Sequence, residues 1–353
     1  MELKPIKYKR AYENIVANKI IVWLWANIFK ECFTILKSNT IYNDDSVIRE
    51  ALQNGTIYYQ DNAFYSKSGR FSNKVASELE KIGAKYSKHR KAYLIDKSKL
   101  PMNVLWAIDT LKAQTAQKVL ALQAFLTHQL GTLTREEKRL VFDSVVEQIM
   151  QDLQDRVYKN AKAKKIELIT PKLTEFRKNI IAQKYTENLE FWIKNWTGEE
   201  IVKMRDVVGQ MVNEGKSLIT IREYIAKEFG ISQRHAKFLA RNESAIATSA
   251  YLSAKYQEEG IRSFRWIVNL DNRERPWHRI LGTVGANGKG NIYRFDDPPV
   301  INDKTGKKGL PGEDYNCRCT FVPVLDKEWL ENRKKIYKAQ NSLTGRIKKF
   351  FNI

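Results

Sequence analysis

The sequence predicts an α+β protein with a mixed N-terminal module, a long helical middle region and a compact, loop-rich C-terminal domain. Three observations predict it. Helix-type spacing of apolar residues dominates from about Val104 to Phe229, with Pro171 and a few glycines as interruptions. Short β-rich runs bounded by turn residues lie between Gly55 and Lys97. Brief strand-like runs set among Gly, Pro and Asn residues fill the region from Phe264 to Pro323. These shifts divide the chain into an N-terminal helix with a small α/β module (1–103), an elongated helical region (104–204), a C-terminal domain (205–325) and a basic tail (326–353).

The first element reads as one helix from Pro5 to Leu36. Its apolar residues, Ile20, Ile21, Val22, Trp23, Leu24, Trp25, Ile28, Phe29 and Phe33, are wider than a single core-facing stripe. Either this helix is buried within its own domain or it docks a partner, since Trp is enriched at interface hot spots. Asn27, Lys30 and Glu31 interrupt the run, so it is not expected to span a membrane. The bulky aromatics and the lack of a small-residue cleavage site also argue against a signal peptide.

In the module that follows, Thr56-Ile-Tyr-Tyr and Ala63-Phe-Tyr read as strands around a turn at Asp61-Asn62, with a later strand at Ala92-Tyr-Leu-Ile. Ser72 and Gly83 supply the start and stop signals of a helix between them. Lys81, Lys85, Lys88, His89, Arg90 and Lys91 form a basic cluster that reads as a phosphate contact or as a solvated surface. The stretch from Arg156 to Arg177 admits the same two readings, and the tail, with Lys348 and Lys349 beside Phe350 and Phe351, reads as a solvated terminal helix, a contact with nucleic acid or an acidic partner, or a membrane-surface segment.

The 353 residues carry 61 Lys plus Arg against 40 Asp plus Glu, a formal charge of +21, while 43% hydrophobic content excludes a largely disordered chain. Such a charge favours polyanions, and non-specific DNA is the expected neighbour; the other reading is that it serves solubility alone. The three cysteines, Cys32, Cys317 and Cys319, make no disulfide framework, which suits a reducing cytoplasm.

In the C-terminal region a helix is expected to end at Gly230 and a second to start at Ser232 and run to about Glu259. That shape admits a DNA-reading helix-turn-helix or plain packing, and the small residues Ala245, Ala247, Ala250 and Ala254 favour packing. Phe264-Arg-Trp-Ile-Val reads as a strand. After it come Asp271-Asn-Arg-Glu-Arg-Pro-Trp-His278, Gly282, and Leu310-Pro-Gly-Glu-Asp-Tyr-Asn-Cys-Arg-Cys-Thr-Phe-Val-Pro323.

The order R-x-E, W, D-x-R-x-R-x-x-H, G, P-G, N-C-R-C and P resembles the Mu-F-like phage head-morphogenesis (minor head protein) family over about residues 205–325. Its signature positions fall on Arg241, Glu243, Trp266, Asp271, Arg273, Arg275, His278, Gly282, Pro311, Gly312, Asn316, Cys317, Arg318, Cys319 and Pro323. Asn242 departs from the usual small polar residue, and the Gly285–Gly290 insert lengthens the loop after Gly282. The resemblance implies a non-enzymatic structural protein of the virion, found in the host cytoplasm during assembly. Portal protein and capsid or scaffolding proteins would be its partners, with no membrane contact and no catalytic residues.

Three chemical readings of the motif stand side by side. In the first, Arg273, Arg275 and Arg318 are fork donors to Asp271, Glu243 or backbone carbonyls, holding the domain together. In the second, Cys317, Cys319 and His278, completed by Asp271 or another group, hold a structural zinc; C-x-C on an extended strand sends both sulfurs to one side. No cofactor is otherwise required. In the third, Glu243, Asp271 and His278 serve a metal-dependent nuclease or toxin-like effector.

Overall fold

The computed structural model describes residues 3–37, 46–133, 140, 142–166, 168, 173–269, 275–282, 291–336 and 338. Asp271, Arg273, Lys348, Lys349, Pro171 and the Gly285–Gly290 insert lie outside the described residues. The architecture is α+β, with a small N-terminal sheet, long helices through the middle and short strands at the C-terminal end. The chain divides into two compact units. One comprises Met1–Lys19, Leu140–Trp192 and His235–Ile353; the other comprises Ile20–Arg139 and Ile193–Arg234.

The second unit holds the N-terminal module. Strands β1 (Ile57–Gln60) and β2 (Ala63–Ser66) form a hairpin whose two turn residues, Asp61 and Asn62, have φ of 48° and 57°. Asp and Asn tolerate this left-handed conformation because their short side chains bond locally, so the dipeptide fixes both turn and register. Helix α3 (Val47–Gln53) precedes the hairpin. Helix α4 (Asn73–Lys81) starts where Ser72 Oγ accepts from Val75 N at 3.3 Å, and stops before Gly83 at φ 90°. Strand β3 (Lys85–Ser87), absent from the expectation, pairs with β4 (Ala92–Leu94) and completes an antiparallel sheet of order β1-β2-β4-β3. Phe64, Leu79, Tyr93, Ile108 and Ala107 share its core, the last two from α5 (Met102–Thr132).

The expected first helix is shorter and interrupted. Helix α1 (Arg10–Leu24) begins five residues later than predicted, and a π-helical turn at Trp25–Phe29 joins it to α2 (Lys30–Ile35). Ile20, Leu24, Ile28, Phe29, Cys32 and Leu36 are buried, while Val22 and Trp25 are exposed. No helix among the described residues is long and apolar enough to cross a membrane.

Helix α6 (Asp143–Ala163), helix α7 (Glu175–Asn213) and helix α8 (Leu218–Glu258) follow. The expected break at Gly230–Ser232 does not occur, because α8 runs through it as one helix and removes the helix-turn-helix reading. Ile221, Ile225, Glu228, Ser232, Ala236, Ala240, Glu243 and Ala247 are all buried, a stripe at helical spacing that passes through the glycine without a gap. A lone interior Gly costs only about 1 kcal/mol against Ala, which such packing outweighs.

In the first unit, β5 (Ser263–Ile267) pairs antiparallel with both β6 (Ile292–Arg294) and β9 (Thr320–Pro323). Phe264, Phe295 and Phe321 cluster with centroids 5.0–5.5 Å apart, and Tyr256 of α8 adds an edge contact. Short strands β7 (Val300–Asn302) and β8 (Lys307–Lys308) pair beside helix α9 (Pro276–Leu281). Residues 3–9 are not helical and are laced to this unit by hydrogen bonds between Lys4 and Asn160, Arg156 and the Lys7 carbonyl, and Thr320 and the Ile6 carbonyl.

Candidate metal centre

Two short segments and one helix assemble the centre. Arg275 is the N-cap position of α9 and Pro276 its first residue, a position where the missing N–H of proline has no cost. One turn on, His278 points inward and is 3% exposed. Gly282 ends α9 beside β5: a Cβ there would lie 1.9 Å from Val268 Cγ2 and 3.1 Å from Trp266 Cδ1, so no side chain fits. The Trp266 ring, itself buried, meets the His278 ring edge-on at 5.7 Å.

The loop from Leu310 to Cys319 brings the sulfurs to that imidazole. Gly312 has φ 96° and stands where a Cβ would press on the Ala245 carbonyl at 3.3 Å, so both conformation and space call for glycine. Ser249 Oγ donates to the Pro311 carbonyl. Asn316, at φ 56°, turns the chain into the C-x-C segment, and its N–H donates to Asn242 Oδ1 at 2.8 Å. Asn242, a departure from the family pattern, therefore holds the cysteine loop onto α8.

Cys317 Sγ lies 3.4 Å and Cys319 Sγ 3.8 Å from His278 Nδ1, and the three donor atoms fall within 4.8 Å of one another. One ion bound at ~2.3 Å from sulfur and ~2.0 Å from nitrogen in tetrahedral geometry separates S and N by roughly 3.6 Å, so the spacing fits a shared zinc. On the far side of the ring, His278 Nε2 is 3.0 Å from the Ile301 carbonyl. A carbonyl can only accept, so that contact puts the proton on Nε2 and turns the Nδ1 lone pair toward the sulfurs, as in histidines that ligate metals. The Gly312 N–H also approaches Cys317 Sγ at 3.3 Å. Cys317 donates to Cys319 and pulls that thiol down to about 5, while the same contact and burial push Cys317 up. A thiolate is thus available at neutral pH, the form a metal binds.

The remaining motif residues surround this centre. Arg275 pairs with Asp314 and donates to the Tyr315 carbonyl, which ties α9 to the cysteine loop. Asp314 Oδ2 is also 3.5 Å from His278 Nε2. Neither Asp314 nor its role followed from residue spacing. Arg241 makes a two-point contact with Glu13, Nε to Oε2 at 3.3 Å and Nη2 to Oε1 at 3.0 Å, from 228 positions away in sequence. Glu243 is buried against Asn242, whose amide donates to it at 3.0 Å, and burial pushes its carboxyl above the usual range. It is not among the three side chains that could hold a metal, which form a group without it. Pro323 ends β9 inside the core.

The basic cluster of the N-terminal module is exposed in the other unit. Lys81 pairs with Glu78 at 2.6 Å, Lys85 opens β3, and Lys88, Arg90 and Lys91 lie in the turn before β4, with Lys91 at φ 50°.

Against known families, residues 202–322 match the family described as Phage Mu protein F like protein. The chain contains a phage Mu protein F-like domain. An uncharacterized protein of Haemophilus influenzae is 30% identical over 134 residues, which cover 38% of this chain and 27% of that one. The NAD(+)--arginine ADP-ribosyltransferase EFV of Enterococcus faecalis is 29% identical over 144 residues, covering 36% of this chain and 28% of its own. The chain thus spans little more than a quarter of the length of these relatives. No solved structure matches. The Mu F-like match contains every signature residue from Arg241 to Cys319, and it reaches upstream into the C-terminal half of α7.

Proposed function

We propose that the protein is a structural minor head protein of a tailed bacteriophage, built into the prohead near the portal and engaged in DNA packaging or ejection. The single observation that carries this reading is that His278, Cys317 and Cys319 of the Mu F-like match come together in a largely buried centre rather than an open cleft. His278 and Cys317 are buried, and Trp266 and the Ile301 carbonyl cover the imidazole. Buried thiolate and imidazole donors of this kind occur in structural zinc sites, with the fourth position left to a ligand outside these three. Bound by Cys317, Cys319 and His278, zinc would supply a crosslink between α9 and the cysteine loop. The test is mass spectrometry of purified virions and proheads. A few copies per portal ring are expected, and absence from both particles would overturn the reading.

A toxin-like effector carrying the same domain is the second reading, favoured by the likeness to the Enterococcus faecalis transferase. NAD-dependent labelling of arginine-containing proteins by the purified chain would support it. The shared segment covers 28% of that relative, so the likeness does not by itself carry transferase activity to this chain.

A further inference from the structure

On the other side of the C-x-C segment from the metal centre lies a second feature. In an extended chain alternate side chains face opposite ways, so Cys317 and Cys319 turn to His278 while Arg318 turns outward. There it lines an open basin of about 380 Å³ together with Lys7, Tyr8, Arg10 and Arg241. Glu13 is the sole acid among the described lining residues. Among the described lining residues, four cations and one carboxylate stand together, and Arg241 holds that carboxylate through two contacts. The Glu13 contact engages Nε and Nη2 and fixes the guanidinium, leaving Nη1 for a ligand.

The walls are prepared in advance. Lys7 is fastened by its carbonyl to Arg156 and by its ammonium to Asn269 Oδ1 at 2.9 Å. Tyr8 is part-buried, with Arg241, Arg318 and Arg10 all close enough to act on its hydroxyl, yet burial holds its pKa above 10 and keeps it a neutral donor. Arg10 is exposed at the first residue of α1. A cation there opposes the positive end of the helix dipole, so this placement gains nothing for the helix and leaves the guanidinium at the mouth of the basin.

We propose that this basin is a phosphate-binding site that takes the backbone of nucleic acid, with Arg10, Arg241 and Arg318 as the principal contacts. Its described lining residues hold no aliphatic side chain and a single ring, donors that suit a phosphodiester better than a base. The net charge of +21 supplies the long-range attraction that favours a polymer over a free phosphate ion. The site stands on geometry alone and does not depend on the head-assembly reading, whose test is presence in particles.

The test measures binding of a fluorescent DNA oligonucleotide to the full chain over a range of salt. Arg10→Glu is compared with Lys327→Glu, an equal change of charge at an exposed residue that likewise begins a helical segment of the same unit. Arg10→Glu is expected to weaken binding about tenfold and to lower the slope of log K against log salt by about one, while Lys327→Glu leaves both nearly unchanged. Arg318→Gln should behave as Arg10→Glu does, and zinc content measured on the same sample shows whether the metal centre is intact. Equal losses for Arg10→Glu and Lys327→Glu would overturn the site. Saturable binding of orthophosphate without binding of DNA would overturn the nucleic-acid assignment.

Discussion

His278 offers Nδ1 to Cys317 Sγ at 3.4 Å while its Nε2 is committed to the Ile301 carbonyl. The carbonyl thereby selects the tautomer that can ligate a metal, although it belongs to a strand 23 residues downstream and carries no signature in the motif. Purified protein is expected to contain about one zinc per chain. Cys317→Ser and His278→Ala should each lose it, and a strong chelator should lower the thermal midpoint of the parent to that of the variants. Elemental analysis that finds the same zinc in all three proteins would refute the centre.

Gly282 makes a sharper packing prediction. The Cβ of Gly282→Ala would overlap Val268 Cγ2, in the residue that follows the strand carrying Trp266 against His278, and overpacking of this kind costs about 1–3 kcal/mol. Val268→Ala removes the obstructing methyl. The double variant should therefore recover much of the stability lost by Gly282→Ala alone, as read from denaturant midpoints at constant slope. Additive losses would show that the clash is relieved elsewhere.

A buried ion-pair triad fastens the end of the described chain. Lys255 Nζ is 2.8 Å from Glu259 Oε1, both almost fully buried, and Arg333 pairs with the other carboxylate oxygen. Arg333 also lies over the Trp329 ring at 4.7 Å, and Trp329 Nε1 donates to the Glu259 carbonyl at 2.8 Å. Glu259→Gln leaves two buried cations facing a neutral group, so a loss of about 3–5 kcal/mol is expected by chemical denaturation. Protease cutting within 327–336 should rise with it; unchanged stability and unchanged cutting would mean the triad is dispensable.

Local signals carried much of this fold. Asp61-Asn62, Ser72 and Gly83 each act on the backbone within a few residues, and each marked its turn or cap from sequence. C-x-C needed only the two-residue period of extended chain to place its sulfurs together. Gly230 misled because its turn-forming tendency is a local effect of about 1 kcal/mol, while the stripe from Ile221 to Ala247 that overrides it is tertiary. Glu13 with Arg241, and Asp314 with Arg275 and His278, were not legible for the same reason: an ion pair across 228 or 39 positions leaves no periodicity to read. Strand β3 was hidden by its own surface, since both Lys85 and Tyr86 are exposed and no buried alternation marks it.

The last prediction concerns two carboxyl groups on different helices of one unit, Glu200 of α7 and Glu228 of α8. Both are buried, and Lys203 reaches both, at 3.7 Å and 2.8 Å. Burial, followed by the hydrogen bond and repulsion from Glu228, pushes Glu200 up to about 7, whereas Glu228 is held below its ordinary value by its bonds to Glu200 and Lys203. One proton is therefore shared by the pair near neutrality. Because Glu200 binds its proton more tightly folded than unfolded, the stability it contributes is complete below about 4.5 and is lost as pH rises toward about 7. Glu228 acts in the opposite sense, but its contribution is lost only at pH below that window. The thermal midpoint of the parent should fall between pH 5 and pH 7.5 relative to that of Glu200→Gln, which keeps the neutral donor at every pH. Parallel pH profiles for the two proteins would show that Glu200 is ionised throughout, with Lys203 neutralising both carboxylates.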